Sequence, residues 1–127
     1  MNDLSVLDAS AVLAVFNVEK GAEKVEPLLS NSIISSVNVA EVLTKMVEKG
    51  ISLDAALEDF LKLGLKVVEF DTKQAAKSAE LRPLTRHLGL SLGDRCCVAL
   101  AMLENATAVT ADRNWASLNI CQIEFIR

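Results

Sequence analysis

Histidine is nearly absent from this chain of 127 residues: His87 is the only one. Cysteine is scarce as well, and Cys96, Cys97 and Cys121 form no C-x-x-C spacing. These two scarcities argue against zinc, whose usual ligand sets need clustered imidazole and thiolate. An odd cysteine count with two adjacent members also argues against a disulfide framework and points to a reducing, cytoplasmic setting. Aromatics make up 4% of the sequence, so alanine, valine, leucine and isoleucine must pack the core. No charged-then-apolar leader and no apolar run of about 18 residues is visible, so no membrane association is expected. The Asn105-Ala106-Thr107 glycosylation pattern is then coincidental.

Excess positive charge is missing too. The net charge of −4 argues against a general nucleic-acid binder, which shows a basic face. It leaves a nuclease open, because cations bound in an acidic pocket reverse its local sign. What remains is an ordinary globular composition, 51% hydrophobic and 24% charged. The length suits one domain, able to bury roughly two-thirds of its unfolded surface without covalent staples.

Strand and helix signals alternate along the chain. Residues 4–8, 32–35, 65–70, 107–110 and 122–126 read as short strands. Helices are expected over 9–17, 21–30 (with Pro27 inside), 37–49 behind a Ser36 cap, and 53–63 closed by Gly64. A long helix capped by Asp71 or Thr72 runs towards Leu88 with an interruption at Pro83, and a last one over 92–104 follows Ser91. Residues 112–116 read as a turn or short helix. Strands separated by helices predict an α/β fold, a mainly parallel sheet of four to five strands flanked by helices.

Four carboxylates sit where apolar segments give way to polar ones. Asp8 ends Leu4-Ser5-Val6-Leu7-Asp8, Asp112 ends Ala108-Val109-Thr110-Ala111-Asp112, Glu41 follows the second strand, and Asp94 opens the last helix. Ligands of open α/β sheets gather beyond the carboxyl ends of the strands. Four acids meeting there repel one another, and a hard divalent cation answers that repulsion with oxygen ligands. Each acid also has a plainer explanation. Asp8 can cap a helix, Asp112 a turn, and Ser91-Leu92-Gly93-Asp94 fits a capping box. Glu41 lies nearly opposite the stripe Val39, Val42, Leu43, Met46 and Val47, where it could pair with Lys45. Asp94 favours a site role, because the helix behind it is apolar all round and so buried. Ser10 and Thr110, each two residues from one of these acids, offer hydroxyls that could order a carboxylate.

The segments Leu7-Asp8-Ala9-Ser10-Ala11, Asn38-Val39-Ala40-Glu41-Val42, Gly89-Leu90-Ser91-Leu92-Gly93-Asp94-Arg95 and Val109-Thr110-Ala111-Asp112 together resemble the PIN-domain family, and more narrowly its VapC-type toxins. The resemblance spans essentially the whole chain as a single domain, residues 1–127. It implies endoribonuclease activity, Mg²⁺ or Mn²⁺ held by Asp8, Glu41, Asp94 and Asp112, support from Ser10 and Thr110, homodimerisation, and inhibition by a cognate antitoxin. Some relatives carry a further acid shortly after the position of Asp112, where Arg113, Asn114 and Trp115 stand here.

On that basis a divalent ion at Asp8 and Asp94 would activate water against an RNA phosphodiester. Glu41 and Asp112 would serve a second ion, about 3.5–4 Å from the first, or orient its waters. Arg82, Arg86 and Arg113 are the candidate phosphate ligands. Arg95 is expected to pair with a carboxylate, Trp115 to pack rather than stack on a base, and His87 to lie on the surface. The amphipathic helices at 37–49 and 53–63 leave an apolar face for a sister subunit or an antitoxin helix. Two other readings stand beside this one: a catalytically silent interaction domain, and a phosphate-signalling α/β module with Asp8 as phosphoacceptor.

Overall fold

A computed structural model describes residues 3–127. Five parallel strands form one sheet: β1 (Ser5–Leu7), β2 (Ser32–Ser35), β3 (Lys66–Val68), β4 (Thr107–Thr110) and β5 (Ile123–Phe125), in the order β3-β2-β1-β4-β5. The chain builds outwards from β1 in one direction, then returns to its other side with β4. The strand order therefore reverses between β1 and β4, which is where an open α/β sheet has its crevice.

Successive side chains of a strand face opposite sides, and the two cores divide accordingly. Val6, Ile33 and Ala108 pack on one face with Leu81, Leu90, Trp115 and the helix containing Cys97–Ala101. Leu7, Ile34 and Val109 pack on the other with Val12, Val25, Val42, Met46 and Phe60. Both faces are covered, as an all-parallel sheet requires.

Seven α-helices connect the strands among the described residues: α1 (Ala9–Phe16), α2 (Ala22–Val25), α3 (Ser36–Glu48), α4 (Leu53–Leu61), α5 (Thr72–Glu80), α6 (Arg82–Thr85) and α7 (Leu92–Glu104). None is long and apolar enough to cross a membrane. Several expected boundaries move. The helix over 21–30 is instead α2 followed by a 3₁₀ segment, Glu26–Asn31, because Pro27 has no N–H to continue the α pattern. The long helix towards Leu88 splits into α5, α6 and a 3₁₀ turn, with Pro83 in the first turn of α6. Ser35, not Ser36, caps α3: its hydroxyl accepts from Val37 N at 3.2 Å, while Ser36 accepts from Phe70 N at 3.1 Å and ties down the chain after β3. The strand expected over 65–70 shortens to an exposed edge strand.

Candidate metal centre

Asp8 stands one residue beyond β1, at the strand-order reversal, and is 3% exposed. Its carboxylate is held by three donors. Ser10 Oγ and Ala11 N reach Oδ1 at 2.7 and 2.9 Å, and Thr110 Oγ1 reaches Oδ2 at 2.6 Å. Both hydroxyls are themselves oriented by the backbone beyond β4. Ser10 Oγ accepts from Ala111 N at 2.9 Å, and Thr110 Oγ1 accepts from Asp112 N at 3.0 Å. Each hydroxyl thus passes the polarity of a backbone amide on to Asp8, and together they tie the end of β1 to the loop after β4. Burial nevertheless outweighs these donors. It pushes the Asp8 carboxyl up to about 6, with a further push from the charge of Asp94.

Asp94 lies in the first turn of α7, and the capping box is present. Ser91 N donates to Asp94 Oδ2 at 2.9 Å, and Asp94 N donates to Ser91 Oγ at 3.2 Å. Capping engages Oδ2 and leaves Oδ1 for another partner. Its carboxyl is raised by burial and by the charge of Asp112, against the pull of Ser91 and Arg95. The helix behind it is sealed in the core, with Cys96–Ala101 all buried. Asp112 follows β4 and receives Asn114 N on Oδ1 at 2.9 Å.

Glu41 does not pair with Lys45, which reaches Glu48 at 3.6 Å instead. Helix α3 is turned so that Asn38, Val42 and Met46 are buried while Val47 is 46% exposed. That rotation brings Glu41 against the first turn of α7, where its carboxyl group packs on Gly93. Asn38 Nδ2 donates to Glu41 Oε1 at 2.8 Å and to Gly93 O at 3.0 Å. Asn38 and Gly93 were not singled out by sequence reasoning. The available signal was an amide three residues before Glu41, on the same side of the helix. The four acids converge on one neighbourhood: Asp8 feels Asp94, Asp94 feels Asp112, and the buried Cys97 thiol, raised chiefly by burial, is raised further by Asp8, Asp94 and Glu41.

No lysine or arginine forms an ion pair with any of the four among the described residues. Arg95, expected to pair with a carboxylate, instead donates to the Ser78 carbonyl at 3.0 Å, across the contact between α5 and α7. Nor do three acidic, histidine or cysteine side chains stand close enough to grip one ion between them, among the described residues. The donors still suit a hard cation. All are carboxylate or hydroxyl oxygens, and burial and mutual repulsion raise both Asp8 and Asp94, which the charge of Arg95 offsets only in part at Asp94. Mg²⁺ is commonly held by one or two carboxylates and retains several waters, which such a site can accommodate.

The candidate phosphate ligands are all exposed. Arg82 reaches the Leu90 carbonyl at 3.5 Å, Arg86 forms no ion pair among the described residues, and Arg113 lies 4.4 Å from the centre of the Phe125 ring. Trp115 is fully buried, so it packs and is not available for stacking on a base. His87 is exposed.

The chain in the DNA-bound VapBC structure from Salmonella typhimurium superposes with a TM-score of 0.75, at 21% identity over 100% of both chains. VapBC2 from Rickettsia felis, bound to a fragment of its promoter, gives a TM-score of 0.74 at 22% identity, covering 96% of this chain and 98% of that one. FitAcB from Neisseria gonorrhoeae gives 0.72 at 19% identity, covering 96% and 97%. At such identities the likeness is one of fold. Curated proteins give no match by sequence. The family model described as PIN domain matches residues 5–120, which span every strand but the last and the whole acidic crevice, and this chain therefore belongs to the PIN-domain family.

Proposed function

We propose that this PIN domain is a divalent-metal-dependent endoribonuclease and the toxin half of a cytoplasmic toxin–antitoxin pair. The observation that carries the reading is a buried carboxylate, Asp8, set at the strand-order reversal near three further acids and ion-paired with no cation among the described residues. Asp8 and Asp94 would hold Mg²⁺ or Mn²⁺, with Glu41 and Asp112 orienting its waters or serving a second ion. When bound, the ion supplies a lowered pKa to coordinated water and draws charge from the phosphodiester. Ser10 and Thr110 fix the direction of the Asp8 oxygens. Asp94 presents the oxygen its capping box does not use. Arg82, Arg86 and Arg113, all exposed, would meet RNA phosphates. A cognate antitoxin fits the fold-level likeness to chains of VapBC complexes.

A second reading has its own support: Asp8 and Asp94 both cap helices, as they would in a catalytically silent interaction domain. One assay separates the two. Purified protein is expected to cleave single-stranded or structured RNA with Mg²⁺ or Mn²⁺ and to stop when EDTA is added. Asp94→Asn should lose cleavage while its melting curve stays cooperative. Full cleavage in EDTA, or by both the Asp8→Asn and Asp94→Asn proteins, would defeat the nuclease reading.

The homodimer has a surface to use. Leu53, Leu57 and Leu61, four residues apart on α4, are 56%, 41% and 66% exposed, and Val47 on α3 extends the stripe. Helix α4 buries Ala56 and Phe60 on its inner side, so the stripe is a second, outward apolar face. Light scattering of the wild type is expected to give a dimer mass, and Leu57→Glu with Leu61→Glu a monomer. A monomeric wild type at high concentration would contradict this.

A further inference from the structure

We infer that Asn38 and Gly93 form a clamp that fixes the Glu41 carboxylate against the first turn of α7, at the residue before Asp94, making Asn38 a positioning residue of the metal centre; this rests on the nuclease reading above.

Asn38 is 1% exposed, and its amide nitrogen is the only bridge of its kind between α3 and the first turn of α7 among the described residues. One donor bond goes to the Glu41 side chain on its own helix. The other goes to the backbone carbonyl of Gly93, the residue before Asp94. The Glu41 carboxylate and the backbone that leads into Asp94 are thereby tied to one side chain. A buried amide is suited to this task, since it donates two bonds and carries no charge to compete with a cation. An aspartate there would lose both donor bonds and add a fifth negative group.

Gly93 closes the other side. A Cβ at this position would overlap the Glu41 carboxyl group, with Cδ and Oε1 both at 2.5 Å. Its backbone is ordinary helix with negative φ, so glycine is not there for conformational freedom. In the first turn of an exposed helix alanine would be the better helix former. The absence of a side chain is instead what admits the Glu41 carboxylate to the site. Asn38 pulls the group in and Gly93 makes the room.

The clamp predicts effects on metal binding that pass through Glu41. Titration calorimetry of metal-free protein with Mn²⁺ alone, needing no RNA, measures them. Asn38→Ala and Gly93→Ala should each weaken Mn²⁺ about tenfold, the loss usual when a group orienting a ligand is removed. Glu41→Ala should weaken it at least as much, and adding either clamp substitution to Glu41→Ala should change nothing further. Gly93→Ala is the decisive variant if Asn38→Ala melts too low, since it adds a methyl group and a better helix former to α7. Wild-type affinity in both single variants, or a full additional tenfold loss in the double variants, would overturn the clamp while leaving the nuclease reading standing. Absence of Mn²⁺ binding to the wild type would overturn both.

Discussion

Asparagine in place of Asp8 is expected to raise the melting temperature of the metal-free protein while abolishing RNA cleavage. The two effects share one cause. Asp8 is buried and its carboxyl is raised from 3.8 to about 6, so at neutral pH the fold carries a charge that its surroundings oppose. Removing that charge relieves up to about 3 kcal/mol, at roughly 1.4 kcal/mol for each pH unit separating folded and unfolded values. Melting should rise by roughly 4 °C per kcal/mol in a domain of this size. Asparagine can also be accommodated. Its oxygen can keep the Ser10 and Ala11 donors, and its amide can donate to Thr110 Oγ1, whose hydroxyl proton then turns towards Ser10 Oγ, 3.4 Å away.

The sign with pH follows directly. Between about pH 4 and 6 the folded state keeps a proton that the unfolded state releases. The wild type therefore loses stability as pH rises through that window. The advantage of Asp8→Asn should be absent near pH 4 and complete above pH 6. Cleavage, by contrast, should fall by more than the roughly 10–100-fold that follows loss of a group merely supporting a metal ligand. A variant that melts lower than wild type at neutral pH, or that still cleaves well, would refute this account of Asp8.

The second large effect belongs to the metal. Mn²⁺ must displace the Asp8 proton, so its affinity is expected to fall about tenfold per pH unit below about pH 6 and to level off above it. An ion at about a hundred times its Kd largely offsets the trend described for the free protein. Metal-free protein is most stable at the acidic end of the window. Protein with Mn²⁺ at about a hundred times its Kd gains about 2.7 kcal/mol, and it does so at the neutral end. Thermal melts from pH 4.5 to 7.5, with Mn²⁺ and then with excess EDTA, should give two curves that converge at low pH and separate as pH rises. Parallel curves would show that the ion binds elsewhere.

How much of this could be read from the residues alone depended on the range of the interactions involved. Buried parallel strands are short apolar runs, so Ser32–Ser35 and Thr107–Thr110 were legible to the residue, as were Ser91 and the helix it caps. Asp8 and Asp112 were legible for the same reason, because a strand end is a local event. The setting of Glu41 was not. The contact that draws Glu41 inwards is made with α7, more than fifty residues further on, and periodicity alone placed Glu41 on the surface with Lys45. The same limit hid the roles of Asn38 and Gly93. The cap of α3 was read one residue late, at Ser36, because two adjacent hydroxyls compete there and Ser36 is taken by the Phe70 amide that follows β3. The proline positions foretold interruptions but not that the chain would continue as 3₁₀ turns.

Crystals of the protein soaked in Mn²⁺ and measured for anomalous scattering test the central claim most directly. The account predicts a peak between the carboxyl ends of β1 and β4, in contact with Asp8 and Asp94 and lost in the Asp8→Asn protein. Manganese bound only at other positions, or this crevice left without a peak at concentrations that support cleavage, would contradict it.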